Sequence, residues 1–164
     1  MRAFVHTIHG LFVALAIGAA APAVAAAPAG TEAPEADAFD EKLAAEVGAD
    51  DYGMRQYVIA FLKAGPNRDR TPEESQALQK AHMENIGRLA EIGKLVLAGP
   101  FLDGGELRGI YVFDVKTLEE AEALTATDPA IQAGSLVMEL HPWYGSAAIM
   151  KIPSLHEKIA RIDH

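Results

Sequence analysis

The chain has 164 residues, with 14 Lys and Arg against 23 Asp and Glu, six His and no Cys. That length suits one domain, and the lack of cysteine excludes a disulfide framework, a thiolate metal site and a cysteine nucleophile. The formal charge of −9 argues against nucleic acid as a partner, because its phosphates would repel an acidic surface.

Arg2 stands alone as a charge before the apolar run Leu11-Phe12-Val13-Ala14-Leu15-Ala16-Ile17, and Ala23-Val24-Ala25 follows. A basic start, an apolar middle and a small-x-small site are the marks of a secretory signal peptide, expected over residues 1–25. The apolar core is shorter than the roughly 20 residues that a membrane span needs, and it runs into Pro22. The expectation is therefore a cleaved, periplasmic or secreted protein with no membrane partner after cleavage. Residues 26–53 form an acidic, Ala/Pro-rich linker that ends in a short flap helix. In that helix Phe39, Leu43 and Val47 share one stripe, and Gly48 stops the turn.

The folded domain is expected over residues 54–150. Tyr57–Leu62 is a run of β-formers closed by Gly65-Pro66. Thr71-Pro72-Glu73-Glu74 is a capping box opening a helix that runs to about Ile92, before Gly93. Strands follow at Leu95–Ala98 and Gly109–Phe113, separated by the turn residues Asp103-Gly104-Gly105. A second capping box at Thr117–Glu120 starts a shorter helix to about Thr125, and Leu136–His141 is the fourth strand. Residues 151–164 form a C-terminal extension, with Leu155, Ile159 and Ile162 in a short helix behind Ser154.

The order β-α-β-β-α-β is the split βαβ arrangement of ferredoxin-like α+β folds, a four-stranded antiparallel sheet with both helices on one face. The strands carry large apolar groups on both faces: Tyr57, Ile59 and Phe61 oppose Val58 and Leu62, and Tyr111 and Phe113 oppose Ile110 and Val112. The helix-free face therefore needs a cover. A second copy of the sheet supplies one, giving a homodimeric α+β barrel; the N-terminal flap is the alternative.

On the first helix His82 lies between Leu78 and Ile86 in the apolar stripe completed by Leu89, while Lys80, Glu84, Arg88 and Glu91 lie opposite. A ring placed among aliphatic neighbours needs a hydrogen-bond partner. Asp128, in Thr127-Asp128-Pro129-Ala130, follows the second helix, and its loop can approach the first helix. A carboxylate on one ring nitrogen fixes the tautomer and leaves the other nitrogen for general acid or base work. The residues alone leave a second account open. His82 can be a core histidine satisfied by a carbonyl, with Asp128 an N-cap for a turn between Pro129 and Gly134.

Three features together resemble the YciI-like (YCII-related) family. They are the helix histidine His82, the strand Gly93-Lys94-Leu95-Val96-Leu97-Ala98-Gly99-Pro100, and Asp128-Pro129, over roughly Met54 to Tyr144. The resemblance implies a dimeric α+β barrel and a His/Asp active site, in some accounts with a phosphohistidine, but no single reaction. Carried over, His82 is the catalytic candidate and Asp128 its orienting partner. The leader, the acidic flap and the extended tail depart from the family pattern and set a purely cytoplasmic role aside.

Secondary candidates for substrate binding are Lys63, Arg68 and Arg70, around Gly65-Pro66-Asn67 ahead of a helix N-terminus, and His141 at the end of the fourth strand. No histidine spacing suggests a metal, and no cofactor motif is present. The expected function is a lyase, isomerase or hydrolase type of enzyme acting on a small molecule through the His/Asp dyad. The competing expectation is a non-catalytic small-ligand-binding protein of the cell envelope.

Overall fold

The computed structural model describes residues 39–162, so the expected signal peptide and residues 26–38 of the linker lie outside the described residues. Element order is α1 (Glu41–Val47), β1 (Met54–Ala64), α2 (Pro72–Glu91), β2 (Leu95–Pro100), β3 (Leu107–Phe113), α3 (Leu118–Thr125), α4 (Pro129–Gln132), β4 (Leu136–Ser146) and α5 (Ile152–Ile159), with a 3₁₀ turn at Ala147–Lys151. The strands form one antiparallel sheet in the order β2-β3-β1-β4. This is the ferredoxin-like topology: each helix crossover leaves room for one strand between the two it connects.

Local chemistry sets the boundaries. Thr71 Oγ1 accepts from the Glu74 N–H at 3.2 Å, and the Glu74 carboxylate accepts from the Thr71 N–H at 2.8 Å, so both halves of the capping box form. Asp128 opens α4 by accepting from the Ala130 N–H. β4 runs five residues past His141, through Pro142 and Trp143 to Ser146. A proline is tolerated there because β4 is an edge strand and gives up no interior ladder bond.

The main core lies between the sheet and the helices, where Val58, Ala60 and Leu62 of β1 meet Leu89 of α2 and Ala121 of α3. A smaller cluster on the opposite face joins Tyr57, Val96 and Val112 to Ile149 and Met150 of the 3₁₀ turn. The chain's own C-terminal segment thus covers part of the helix-free face. Trp143 and Val137 of β4 stay exposed on it.

The flap helix α1 forms between the Asp40 cap and Gly48 in the left-handed region (φ 65°), but only Val47 of its expected stripe is buried. Phe39 is 79% exposed and Leu43 is also exposed. The helix touches the 3₁₀ turn, with an ion pair between Glu46 and Lys151. That contact buries Val47 and leaves most of the helix in solvent.

One glycine fixes the geometry near the candidate site. A Cβ on Gly65 would stand 2.2 Å from the Gly134 carbonyl oxygen. The close approach lets Gly65 N–H donate to Ser135 O at 2.8 Å and Asn67 N–H to Gly134 O at 3.0 Å. These bonds clamp the loop after β1 to the loop before β4.

Candidate active site

His82 projects from the middle of α2 and is 8% exposed; Asp128 is fully buried. The His82 Nδ1 atom lies 2.8 Å and 3.0 Å from the two Asp128 carboxylate oxygens. A carboxylate only accepts, so this pattern assigns the proton to Nδ1 and leaves a lone pair on Nε2. The Tyr111 hydroxyl, from β3, stands 3.3 Å from Nε2 and donates to it. The imidazole and phenol planes are inclined by only 19°, with ring centroids 6.3 Å apart. Burial raises the Tyr111 pKa well above the ordinary phenol value, and the Asp128 charge adds to the rise. The phenol is therefore a neutral donor throughout the physiological range.

Asp128 is held from several directions. Its Oδ1 accepts from the Ala130 N–H at 2.8 Å, and its own N–H donates to Thr125 O at 3.0 Å. The neighbouring Thr127 is tied to α2, since Arg88 donates to Thr127 Oγ1 at 2.7 Å and to Asn85 Oδ1 at 2.8 Å. The N-cap role and the histidine partnership, compatible on sequence, are fulfilled by one side chain. A carboxylate fixed this way holds the imidazole in one orientation, and its negative charge balances the positive charge the ring gains when Nε2 takes a proton.

His82 and Tyr111 line an open cavity of about 970 Å³ that extends along α2 and β2 to α5. Its wall is mainly aliphatic, with Leu62, Leu78, Met83, Ile86, Leu95 and Leu136 among the contributors. Arg68 and Arg70 also line it. Arg70 donates to Asn67 O and, at 2.7 Å, to Ala133 O, and Arg68 donates to Ser135 O at 3.3 Å.

Lys63 and His141 are not brought to this cavity, which corrects the expected grouping of Lys63 with the two arginines. Both belong to the helix-free face, where Lys63 pairs with Glu139 and His141 Nε2 lies 2.9 Å from the same carboxylate. Strand alternation is the reason. Lys63 shares its side of β1 with Tyr57, Ile59 and Phe61, away from α2.

Three contributors were not singled out on sequence. Tyr111 reads as one more large strand residue until its pairing with Ala60 is known. Arg88 is exposed, on the wet side of the helix as expected, and from there its guanidinium reaches Asn85 and Thr127. Arg108 occupies a β-bulge: Leu62 pairs with Gly109 and Lys63 with Leu107, so Arg108 has no residue opposite it on β1, although its carbonyl accepts from the Phe101 N–H at 2.9 Å on the other side. Among the described residues no group of three or more His, Asp or Glu is placed to hold a metal ion, and no helix is long and apolar enough to cross a membrane.

The YCII-related domain model matches residues 56–144. The chain belongs to the YCII-related family. The matched span runs from β1 to β4 and contains His82, Tyr111 and Asp128. The chain is 32% identical over 74 residues to the uncharacterized protein YjpA of Bacillus subtilis (strain 168), which covers 45% of this chain and 85% of that protein. Among solved structures it is similar to 5-chloro-2-hydroxyhydroquinone dehydrochlorinase (TftG) from Burkholderia phenoliruptrix AC1100, in complex with 2,5-dihydroxybenzoquinone. That match has a TM-score of 0.42 and 18% identity, over 54% of this chain and 93% of the other. In this YCII-related domain the strand Leu95–Pro100 and the Asp128-Pro129 turn converge on the face of α2 that carries His82.

Proposed function

We propose that this YCII-related protein is an enzyme that moves a proton on a small organic molecule, with His82 as general base and acid and Asp128 as its positioning partner. The observation that carries the reading is the buried His82–Asp128 pair at 2.8 Å on the wall of an open cavity. In the first step Nε2 accepts a proton from a substrate carbon or hydroxyl, and the Tyr111 hydroxyl turns from Nε2 toward the developing negative charge. The imidazolium is balanced by the Asp128 carboxylate. The ring then returns its proton, either to another atom of the substrate or to a leaving group, giving isomerisation or elimination. A hydrolysis follows the same path with water as the first proton donor.

A second reading, a small-ligand-binding protein without turnover, is favoured by one feature. Both ring nitrogens already have partners within the chain, and little of the ring meets solvent. Export and homodimerisation are part of the proposal. Export is supported by the pattern of the first 25 residues. Dimerisation is supported by apolar Trp143 and Val137 standing exposed on the helix-free face. Fractionation of cells expressing the full chain and light scattering of the purified protein test these two points.

The test of the chemistry is deuterium exchange. The purified protein is incubated in heavy water with a panel of small C–H acids (2-oxo acids, lactones and hydroxyquinols), and proton NMR follows exchange at carbon. The expected result is exchange in at least one compound, lost in His82→Ala and kept in His141→Ala. Exchange that survives in His82→Ala contradicts the assignment. Binding without exchange in the wild type favours the second reading.

A further inference from the structure

The charge on the cavity wall runs against the charge of the chain. The sequence carries 23 acidic residues against 14 basic ones, yet the wall holds Arg68, Arg70 and Arg108 and no Asp or Glu. Among the described residues, none of the three arginines forms an ion pair with a carboxylate. Their hydrogen bonds go to main-chain carbonyls, which are neutral and do not pair the positive charge.

The three are not equivalent. Arg70 spans two loops and also borders a neighbouring groove with Asp69 and Glu74, so its charge is partly offset. Arg68 is exposed. Arg108 is half-buried and makes one long contact, 3.4 Å to Gly104 O, while its Nε–H is buried with no partner. The chain therefore leaves this guanidinium poorly satisfied while placing it on the cavity wall, where its terminal N–H groups are the ones an incoming group can engage. The bulge that takes Arg108 out of the pairing with β1 is a device for re-aiming a side chain.

We propose that the cavity takes its substrate as a monocarboxylate with an aliphatic or aromatic body, whose carboxylate is received by Arg108 in the field of Arg68 and Arg70. The apolar wall accommodates the body, and the guanidinium offers a planar pair of donors that matches a carboxylate. This names the substrate class of the site proposed above and rests on that reading only in placing the ligand beside His82.

The test uses the full-chain protein and two matched pairs of probes: benzoate with benzamide, and cyclohexanecarboxylate with its amide. Binding is measured by calorimetry or ligand-observed NMR. A carboxylate should bind at least about tenfold more tightly than its amide, the scale of one charge-assisted hydrogen-bonded pair. Arg108→Gln should erase that preference, and Arg108→Lys should keep part of it, which excludes simple misfolding as the cause. His82→Ala should retain the preference even where it loses deuterium exchange, so failure of the acid–base reading is distinguishable from failure of this one. Carboxylates that bind no better than their amides, or a preference that survives in Arg108→Gln, overturn the proposal.

Discussion

The two faces of the sheet each hold a histidine beside a carboxylate, and the two pairs differ in almost everything except residue type and separation. His82 and Asp128 lie 2.8 Å apart with side chains 10% and 0% exposed; His141 and Glu139 lie 2.9 Å apart with side chains 50% and 46% exposed. On the helix side the carboxylate has a helix cap and an imidazole to serve and no competing cation within ion-pairing distance among the described residues. On the open side Glu139 is shared with Lys63, which by its hydrogen bond is the larger cause of the lowered Glu139 pKa, with His141 second. Water screens the second pair and barely reaches the first, so a similar separation organises a site in one place and decorates a surface in the other.

The largest effect that could break this comparison is removal of the acids. Asp128→Ala leaves a buried imidazole without its partner and uncaps α4, and should cost about 3 kcal/mol or more in chemical denaturation. Glu139→Ala should leave the denaturation midpoint near that of the wild type. Comparable losses in the two variants would erase the distinction.

A second effect concerns the loops that bring Arg68 and Arg70 to the cavity. Gly65→Ala forces a Cβ against the Gly134 carbonyl and should cost about 2 kcal/mol, as overpacking does. It should also weaken carboxylate binding without touching the Lys63–Glu139–His141 group.

Tyr111→Phe is smaller, about 1 kcal/mol for one buried hydroxyl, but it sharpens the contrast through pH. The raised Tyr111 pKa means that the folded chain keeps this proton where the unfolded chain loses it. The associated stability is therefore full below the ordinary phenol pKa of about 10 and falls as pH rises beyond it. Tyr57, also raised by burial, adds a slope of the same sign. Denaturation midpoints measured across that range should fall less steeply in Tyr111→Phe than in the wild type. The smallest effect is that of salt: raising ionic strength from about 0.05 to about 0.5 M should move the His141 ring resonances and leave those of His82 in place.

Much of this was legible in the residues. The capping boxes, the Gly-Pro closures and the alternation of apolar groups indicate every strand and both long helices, because each is a short-range signal. His82 was marked by standing in an apolar stripe and Asp128 by heading a Pro-initiated turn, and both signals are also local. Tyr111 and Arg108 were not legible, since one depends on the register of β3 against β1 and the other on a bulge in that register. Lys63 was misgrouped although the alternation of Tyr57, Ile59 and Phe61 already placed it on the other face. The exposed first turn of α1 has no sequence signal, because the 3₁₀ turn it meets lies more than a hundred residues away.

The most direct test of the central claim is the tautomer of His82, read from the nitrogen-15 shifts of its ring in the full chain. The account predicts a proton on Nδ1 and a bare Nε2 in the neutral ring, with that preference lost in Asp128→Asn. A neutral ring protonated on Nε2 in the wild type would mean that the nitrogen facing Tyr111 has no lone pair to offer, and the proposed acid–base role would fall.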